Sequence, residues 1–214
     1  MSTTGLVAPT RDFFARPVLE VAPQLLGAHV RAGGVTVRLT EVEAYAGTRD
    51  PGSHAFRGPT PRTEVMFGPA AHLYVYFSYG MHWCCNVVCG PDGEAAAVLL
   101  RAGEVVDGMP HARARRDAGR TRPHPERDLA RGPARLTATL GLGREHDGLD
   151  LLSPDAPVSL HLPATVPEGR VRQGPRVGVS GPGGDADAYP WRFWLDGEPS
   201  VSTYRPGVAR RPRT

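Results

Sequence analysis

The chain has 214 residues, a formal net charge of +3 at pH 7 and an isoelectric point near 9.0. That length suits one domain with its own hydrophobic core. No segment approaches the roughly 20 apolar residues of a membrane span, and the opening MSTTGLVAPTRDFF lacks the basic and apolar blocks of a signal peptide. These features exclude a membrane-spanning protein, and we expect a cytoplasmic one.

The first 45 residues predict short helices followed by a strand. Apolar residues follow a helical spacing over 11–30, where Pro17 and Pro23 interrupt the pattern and Gly27 can end it. The sequence GGVTVRLTEVEAY then predicts a Gly-Gly turn and a strand. We expect one face of that strand to carry Val35, Val37, Leu39, Glu41, Glu43 and Tyr45.

The middle of the chain predicts a loop, a hairpin and a third strand. Residues 46–64 are rich in Gly, Pro, Asp, Thr and Arg, a composition typical of a long ordered loop. Two aromatic and β-branched runs surround Tyr79-Gly80 in HLYVYFSYGMHWCCNVVC, which indicates a β-hairpin. The next segment, EAAAVLLRAGEV, predicts a strand that ends at Arg101.

The C-terminal half predicts helices and then short strands. Residues 104–131 begin with a helical pattern and become rich in arginine, and Gly132-Pro133 begins a further helix. The short strands include RVGVSG and WRFWLDG. We therefore expect the α+β class with strands prevailing. The expected organisation is a disordered N-terminus at 1–10, one domain at 11–205 and a disordered tail at 206–214.

Two compositional features limit the chemistry. All 25 Lys and Arg positions are arginine, so a Schiff base could form only at the amine of the chain's N-terminus. Cys84, Cys85 and Cys89 lie in one apolar run without a CxxC pair, which indicates small buried side chains and no disulfide framework. A metal site that includes the nearby His82 is the alternative, but no second ligand pair has a suitable spacing.

The carboxylates of the first long strand are the strongest chemical signal. A buried ionised group needs a partner, because its removal from water costs several kcal/mol. One interpretation is an ion pair in which Arg101 or Arg38 holds Glu41 or Glu43. The other is a general base in a cleft.

Three other side chains allow a structural or a functional interpretation. Tyr79 at the predicted hairpin turn either packs along the ribbon or forms a wedge that enters a base stack. His54 is either a solvated histidine or part of a site. Asn86 in an apolar strand needs partners for its amide, either in the core or in a polar pocket.

Seven segments together resemble the alkyladenine (3-methyladenine) DNA glycosylase family. They are DFFARPVLEVAPQLLG, LTEVEAYAGTRDPGSHAFRGPTPRTEVMFG, LYVYFSYGMHWCCNVV, VLLRAGEV, RGPARL, RVGVSG and WRFWLDG, in that order. The resemblance covers nearly the whole chain. It implies a single domain with a curved antiparallel sheet, like an open barrel, with peripheral helices and a protruding hairpin that enters the minor groove of DNA.

The resemblance also implies roles for individual residues. Glu43 resembles the base that activates the attacking water, and Arg101 resembles its helper. The base pocket is implied to consist of Tyr45, His54, Tyr76 and Asn86, and the wedge of Tyr79 and Met81. His82 and Arg135 depart from the residues familiar at their positions.

The implied activity is that of a monofunctional glycosylase that flips a damaged purine out of double-stranded DNA and hydrolyses its glycosidic bond. We expect a monomer that needs no metal or other cofactor and is associated with the nucleoid. Two rival interpretations remain: a non-catalytic module for distorted DNA or structured RNA, and a hydrolase of free nucleosides. The arginine-rich stretch 113–135 either contacts phosphate or forms a solvated face.

Overall fold

A computed structural model describes residues 5–78, 80–166 and 168–208. The predicted tip residue Tyr79 and most of the predicted disordered tail therefore lie outside the described residues. Within the described part, no helix has the length and apolar character needed to cross a membrane.

Nine strands and four α-helices form the described fold. The strands are β1 (Leu6–Val7), β2 (His29–Ala32), β3 (Val35–Tyr45), β4 (Leu73–Ser78), β5 (His82–Val88), β6 (Ala97–Asp107), β7 (Val158–Pro163), β8 (Val171–Gly174) and β9 (Arg192–Leu195). The helices are α1 (Arg11–Phe14), α2 (Val18–Gln24), α3 (Met109–Arg116) and α4 (Pro133–Leu140). The predicted strand-rich α+β class is confirmed.

All strand pairs are antiparallel, and β3 is the centre of the sheet. The sheet runs in the order β1-β7-β2-β3-β6-β5-β4, and its two ends do not pair, so the sheet does not close into a barrel. One edge of β3 is shared by two partners, since β2 pairs with its first half and β9 with residues 41–43. Strand β8 adds to β9. Strands β4 and β5 form the predicted hairpin.

The helices follow the signals that predict them. Helix α2 begins directly after Pro17 and contains Pro23 in its last turn. Helix α4 has Pro133 in its first turn and ends at Gly141, whose φ of 72° suits a residue without a Cβ. Apolar side chains of α2 and α4 pack on the sheet. The buried core includes Phe14, Leu25, Leu26, Leu136 and Leu140, each of which stabilises the fold by about 1.5–3 kcal/mol.

Two β-bulges change which side chains of β3 face the core, so the prediction for the second half of that strand was wrong. The register between β3 and β6 shifts between Thr36 and Val37, at Thr40 and opposite Arg101, and the last two shifts are the bulges on either side of Glu41. Val35, Val37 and Leu39 lie in the core as predicted, but after the bulge the core residues are Val42 and Ala44. Glu41, Glu43 and Tyr45 therefore do not continue the apolar face. An extra residue reverses the side to which the following side chains point.

Four other expectations differ from the structure. Strand β6 does not end at Arg101 but continues to Asp107, because its second half pairs with the first half of β3. The segment RVGVSG is not a strand. The expected disordered segment 1–10 contains β1, which pairs with β7. The stretch 104–131 was also expected to be helical from its first residues, but α3 begins only at Met109.

The cysteines and the arginine-rich stretch have structural roles. Cys84, Cys85 and Cys89 are free thiols and buried, as predicted. In the stretch 113–135, Arg116 Nε donates to the Leu129 carbonyl (3.1 Å) and Arg131 Nε to the Val201 carbonyl (2.9 Å). These two guanidinium groups fix loops of the protein, although other arginines of the stretch are exposed.

Candidate active site

A cavity of about 830 Å³ opens between β3, the β4–β5 hairpin, the loop at 51–54 and the segment 177–180. That volume is typical of pockets for small organic ligands. Its wall includes all six residues that the family resemblance implies for catalysis and base binding, namely Glu43, Tyr45, His54, Tyr76, Asn86 and Arg101. Residues that are up to 58 positions apart in the sequence are thus brought together by the sheet and one loop.

Glu43 is completely buried in the protein and lies in the cavity wall. The backbone amide of Val177 donates to Oε1 (2.7 Å), and the Tyr45 hydroxyl donates to Oε2 (2.9 Å). Burial and the nearby Glu43 raise the pKa of Tyr45 well above its usual value, so its hydroxyl keeps the proton that it donates. Glu43 is therefore held at both oxygens by donors from two different segments.

The second carboxylate, Glu41, is the one that is locked in an ion-pair network. Its Oε1 accepts from Arg101 Nε (2.8 Å) and Arg192 Nε (2.6 Å), and its Oε2 accepts from the Ser202 amide (2.7 Å). Arg101 Nε lies farther from Glu43 Oε1, at 3.5 Å. The predicted pairing of Arg101 with a carboxylate is thus found mainly at Glu41.

Arg38, the other predicted partner, does not pair with either carboxylate. Its Nη2 contacts Glu104 (2.7 Å) and Glu198 (2.8 Å). Arg38 lies on the same side of β3 as Glu41 and Glu43, because the bulge at Thr40 shifts the alternation of the strand, but Glu104 and Glu198 bind its guanidinium instead.

Aromatic side chains form one wall of the cavity. Tyr74 and Tyr76 stack at a centroid distance of 5.3 Å and an angle of 28°. The His54 ring meets Tyr76 edge-on at 4.6 Å, and its Nδ1 lies 3.2 Å from the Tyr74 hydroxyl. Tyr45 also lines the cavity and is half-buried. Flat rings with exposed edges and faces can hold a planar ligand by stacking.

The imidazole of His54 is uncharged at neutral pH. Partial burial and, secondly, the positive charge of Arg62 lower the pKa of His54 to about 4. The guanidinium of Arg62 lies over the Tyr76 ring at 5.2 Å. The cavity wall therefore combines neutral aromatic surfaces with a cation at its exposed side.

Asn86 lies on β5 and lines the cavity. Its side-chain Nδ2 donates to the carbonyl of Tyr74 (2.9 Å), which is its register partner across the hairpin. This contact satisfies part of the amide and fixes its orientation. Cys84, two residues earlier on the same face, also lines the cavity, and burial raises the pKa of its thiol.

The hairpin end presents apolar side chains to solvent. Met81 is 64% exposed and Phe77 is 46% exposed. Met81 is absent from the cavity wall, whereas Phe77 and Gly80 belong to it. The hairpin tip therefore borders the cavity.

Sequence patterns did not reveal four groups that shape the site. Arg176 is completely buried and pairs with Asp50, the Val177 amide donates to Glu43, and Arg205 lines the cavity. The carbonyl of Arg205 is held by the Gly178 amide at 2.8 Å. The only sequence signal was the arginine inside the apolar segment GPRVGV, because an arginine there must find a buried partner.

No group of three or more His, Cys, Asp and Glu side chains within residues 5–78, 80–166 and 168–208 is arranged to hold a metal ion.

Comparison with known proteins identifies the family. A family model described as methylpurine-DNA glycosylase matches residues 12–199. A protein of Streptomyces avermitilis is 54% identical over 210 residues, which are 96% of this chain and 95% of that protein. A protein of Leifsonia xyli subsp. xyli is 56% identical over 209 residues, which are 95% and 96% of the two chains. Both are named "Putative 3-methyladenine DNA glycosylase". The resemblance seen in the sequence is confirmed, and the chain belongs to the methylpurine-DNA glycosylase family.

Proposed function

We propose that the protein is a monofunctional DNA glycosylase of base excision repair, which extrudes an alkylated purine from duplex DNA and hydrolyses its N-glycosidic bond. The observation that carries this proposal is Glu43, a buried carboxylate held at both oxygens in the wall of an aromatic-lined cavity. The family membership supports the reaction class.

In this proposal Glu43 is the general base. A carboxylate oxygen accepts a proton from water as that water attacks C1′ of the sugar, and the purine leaves with the electrons of the glycosidic bond. The transition state resembles an oxocarbenium ion, which a neighbouring carboxylate stabilises. Arg101, 3.5 Å from Glu43, orients the water. A cationic alkylpurine leaves readily, so one carboxylate suffices.

The aromatic wall binds the extruded base. Tyr45, His54 and Tyr76 offer ring surfaces, and stacking on such side chains contributes about 1–3 kcal/mol per base. An electron-poor alkylpurine, such as 3-methyladenine or 7-methylguanine, stacks more strongly than an undamaged base. Asn86 crowds the exocyclic amino group of undamaged guanine, and neutral hypoxanthine and ethenoadenine are slower substrates because they are poorer leaving groups.

Extrusion of a base costs a few kcal/mol of lost stacking and pairing, which new contacts between the protein and the DNA must offset. We propose that Tyr79 and Met81 at the hairpin tip fill the gap that the flipped nucleotide leaves. The exposure of Met81 and Phe77 beside the cavity supports this placement of the wedge. Double-stranded DNA with a damaged purine is thus the proposed partner, bound by a monomer.

The absence of lysine supports a monofunctional reaction. Strand cleavage by bifunctional glycosylases proceeds through a Schiff base, and no lysine side chain in the 214 residues can form one. The expected product is an intact strand with an abasic site. Strand breaks at neutral pH, before any treatment with alkali, would contradict this part of the proposal.

The decisive experiment compares Glu43→Gln with wild type on a duplex that contains one alkylated purine. Released base is measured by alkaline cleavage at the abasic site, and DNA binding by fluorescence anisotropy. We expect base release to fall by about 10²- to 10⁴-fold, as for loss of a general base, with binding retained. The matched control is Glu126→Gln, because the Glu126 side chain is 70% exposed and its loss should leave release unchanged.

The same experiment distinguishes the proposed glycosylase from a non-catalytic DNA-binding module. If wild type binds the damaged duplex with a steep salt dependence but releases no base, the protein is a non-catalytic binding module. If Glu43→Gln loses binding and release equally, Glu43 has a structural role and the proposed mechanism is wrong.

A further inference from the structure

Arg176 forms an unusually complete buried contact set next to the cavity. The side chains of Arg176 and Asp50 are both 0% exposed, and two parallel contacts of 2.5 and 2.7 Å join guanidinium and carboxylate. Arg176 also donates to the carbonyls of Ala44 (3.1 Å) and Gly183 (2.7 Å). Its Nε has no hydrogen-bond partner among the described residues.

Stability alone does not explain this arrangement. Removal of two charges and one unpartnered N–H from water costs several kcal/mol, and a buried ion pair is often no more stable than an apolar pair of similar volume. What the pair supplies is a fixed geometry. A guanidinium binds a carboxylate at two points in one plane, which a lysine amine cannot do.

The pair joins the three segments that carry the proposed active-site groups. Ala44, whose carbonyl it holds, lies between Glu43 and Tyr45 on β3. Asp50 also accepts from the amides of Ala46 (3.2 Å) and Gly52 (2.8 Å), so it organises the loop that leads to His54. The glycines at 52 and 183 allow this close approach, because a Cβ on Gly52 would collide with Arg176.

Two direct links lead from Arg176 to the reacting end of the cavity. The next residue, Val177, donates its amide to Glu43 Oε1 at 2.7 Å. The guanidinium itself lies 4.6 Å from the centroid of the Tyr45 ring, and Tyr45 donates to the other oxygen of Glu43. Arg176 is therefore next to both groups that donate to Glu43: it precedes Val177 in the chain and contacts the Tyr45 ring.

We infer that the Arg176–Asp50 ion pair is a positioning device for base release: it fixes the Val177 amide and the Tyr45 ring, and through them the direction of the Glu43 carboxylate. The inference rests on the proposed glycosylase function. Arg176 lies behind Tyr45 and is not part of the cavity wall, so it acts on the reaction only through its neighbours. A displacement of about 1 Å at a reacting group can slow a reaction by 10²-fold, which sets the size of effect expected.

The test uses two variants of the full chain under single-turnover conditions with saturating enzyme. Arg176→Lys keeps the charge but loses the two-point contact. The double variant Arg176→Gln/Asp50→Asn removes both charges, so that no unpaired ion is buried, and keeps groups that can hydrogen-bond. Arg38→Lys is the matched control, since it also disrupts contacts between an arginine and a carboxylate, but on a part of β3 outside the cavity.

The measured quantities are the rate constant of base release, the Kd for the lesion-bearing duplex and the folded fraction of each variant, which is obtained separately by circular dichroism. With folded enzyme in excess over DNA, the rate constant at saturation does not depend on the folded fraction. We expect both variants to lower the rate constant by about 10- to 100-fold with the wild-type folded fraction and a Kd within about threefold of wild type, and Arg38→Lys to match wild type.

Two results would overturn the inference. A lowered folded fraction with the wild-type rate constant, or failure of both variants to fold, would make the pair a requirement of folding only. A wild-type rate constant at the wild-type folded fraction would show that the pair does not position Glu43. If the wild-type protein itself releases no base, the proposed function is wrong. This outcome is distinguishable from the two above, because in those the wild-type protein is active.

Discussion

Replacement of Glu41 by glutamine tests whether the two buried glutamates of β3 have different tasks. Glu41 is 0% exposed and accepts from Arg101 Nε, Arg192 Nε and both the amide and the hydroxyl of Ser202, at 2.6 to 2.9 Å. Glu41→Gln keeps the shape of the side chain but removes the only full negative charge within this contact set. Arg101 and Arg192 are themselves buried. Their positive charges therefore lose the negative charge of Glu41 at a place where water cannot solvate them instead.

The magnitude follows from that burial. Removal of one partner of a buried ion pair costs about 3–5 kcal/mol. In a chain of this size each kcal/mol lowers the Tm by about 2–4 °C, so Glu41→Gln should lower it by about 6–20 °C. Glu43→Gln should cost much less, because Glu43 has two neutral donors and only a 3.5 Å contact with a guanidinium that Glu41 already holds.

The assay is thermal unfolding by circular dichroism, with urea unfolding to check that the slope m is unchanged. Wild type, Glu41→Gln and Glu43→Gln are compared at the same pH and salt concentration. The reasoning is refuted if Glu41→Gln unfolds within about 2 °C of wild type, or if Glu43→Gln loses as much stability as Glu41→Gln. Either result would mean that the network around Glu41 does not carry the stability assigned to it.

Three further predictions concern the cavity. Tyr45→Phe keeps the ring and removes the donor to Glu43 Oε2, so the rate constant of base release should fall about tenfold, the equivalent of roughly 1.4 kcal/mol, while duplex affinity is retained. The folded pKa of His54, about 4, is lower than the 6.5 of the unfolded chain, so its contribution to stability should be lost as the pH falls from 6.5 towards 4. In an NMR titration, the His54 imidazole signal, assigned by its loss in His54→Ala, should show no midpoint above pH 5. Arg205 lines the cavity and has no side-chain partner among the described residues, which suits a phosphate ligand. Arg205→Ala should therefore reduce the slope of log K against log salt by about 0.9, and an unchanged slope would exclude a phosphate contact.

Sequence patterns were reliable where a local signal decides the structure. Pro17 separates α1 from α2, Gly27 follows the end of α2, Pro133 begins α4, and aromatic runs around a Tyr-Gly turn predict the hairpin. Each of these features depends on residues within a few positions of one another. The family resemblance then identified cavity residues that no local pattern could bring together.

The failures share a physical cause, since each depends on a distant segment. The segment RVGVSG has the composition of a strand, but the Val177 amide donates to Glu43 and the Gly178 amide to the Arg205 carbonyl. These amides therefore serve the site and its C-terminal neighbour, and form no ladder. Arg176 and Asp50 are 126 positions apart, and no periodicity connects them.

The two bulges explain how one strand can supply both core and site. Thr40 is an extra residue in β3 and Arg101 is an extra residue in β6, so the register between the strands is the same on either side of the pair of bulges. The facing of both strands nevertheless reverses together. Val98 and Leu100 lie in the core whereas Leu99 and Arg101 line or border the cavity, and on β3 Val42 and Ala44 lie in the core whereas Glu43 and Tyr45 line the cavity. An uninterrupted strand with the phase set by Val35 and Val37 would instead direct Glu43 into the apolar core, where no donor could reach it. The irregular pairings at Thr40 and Arg101 therefore let the carboxylate reach the cavity, while the pairing of β3 with β6 continues regularly beyond them.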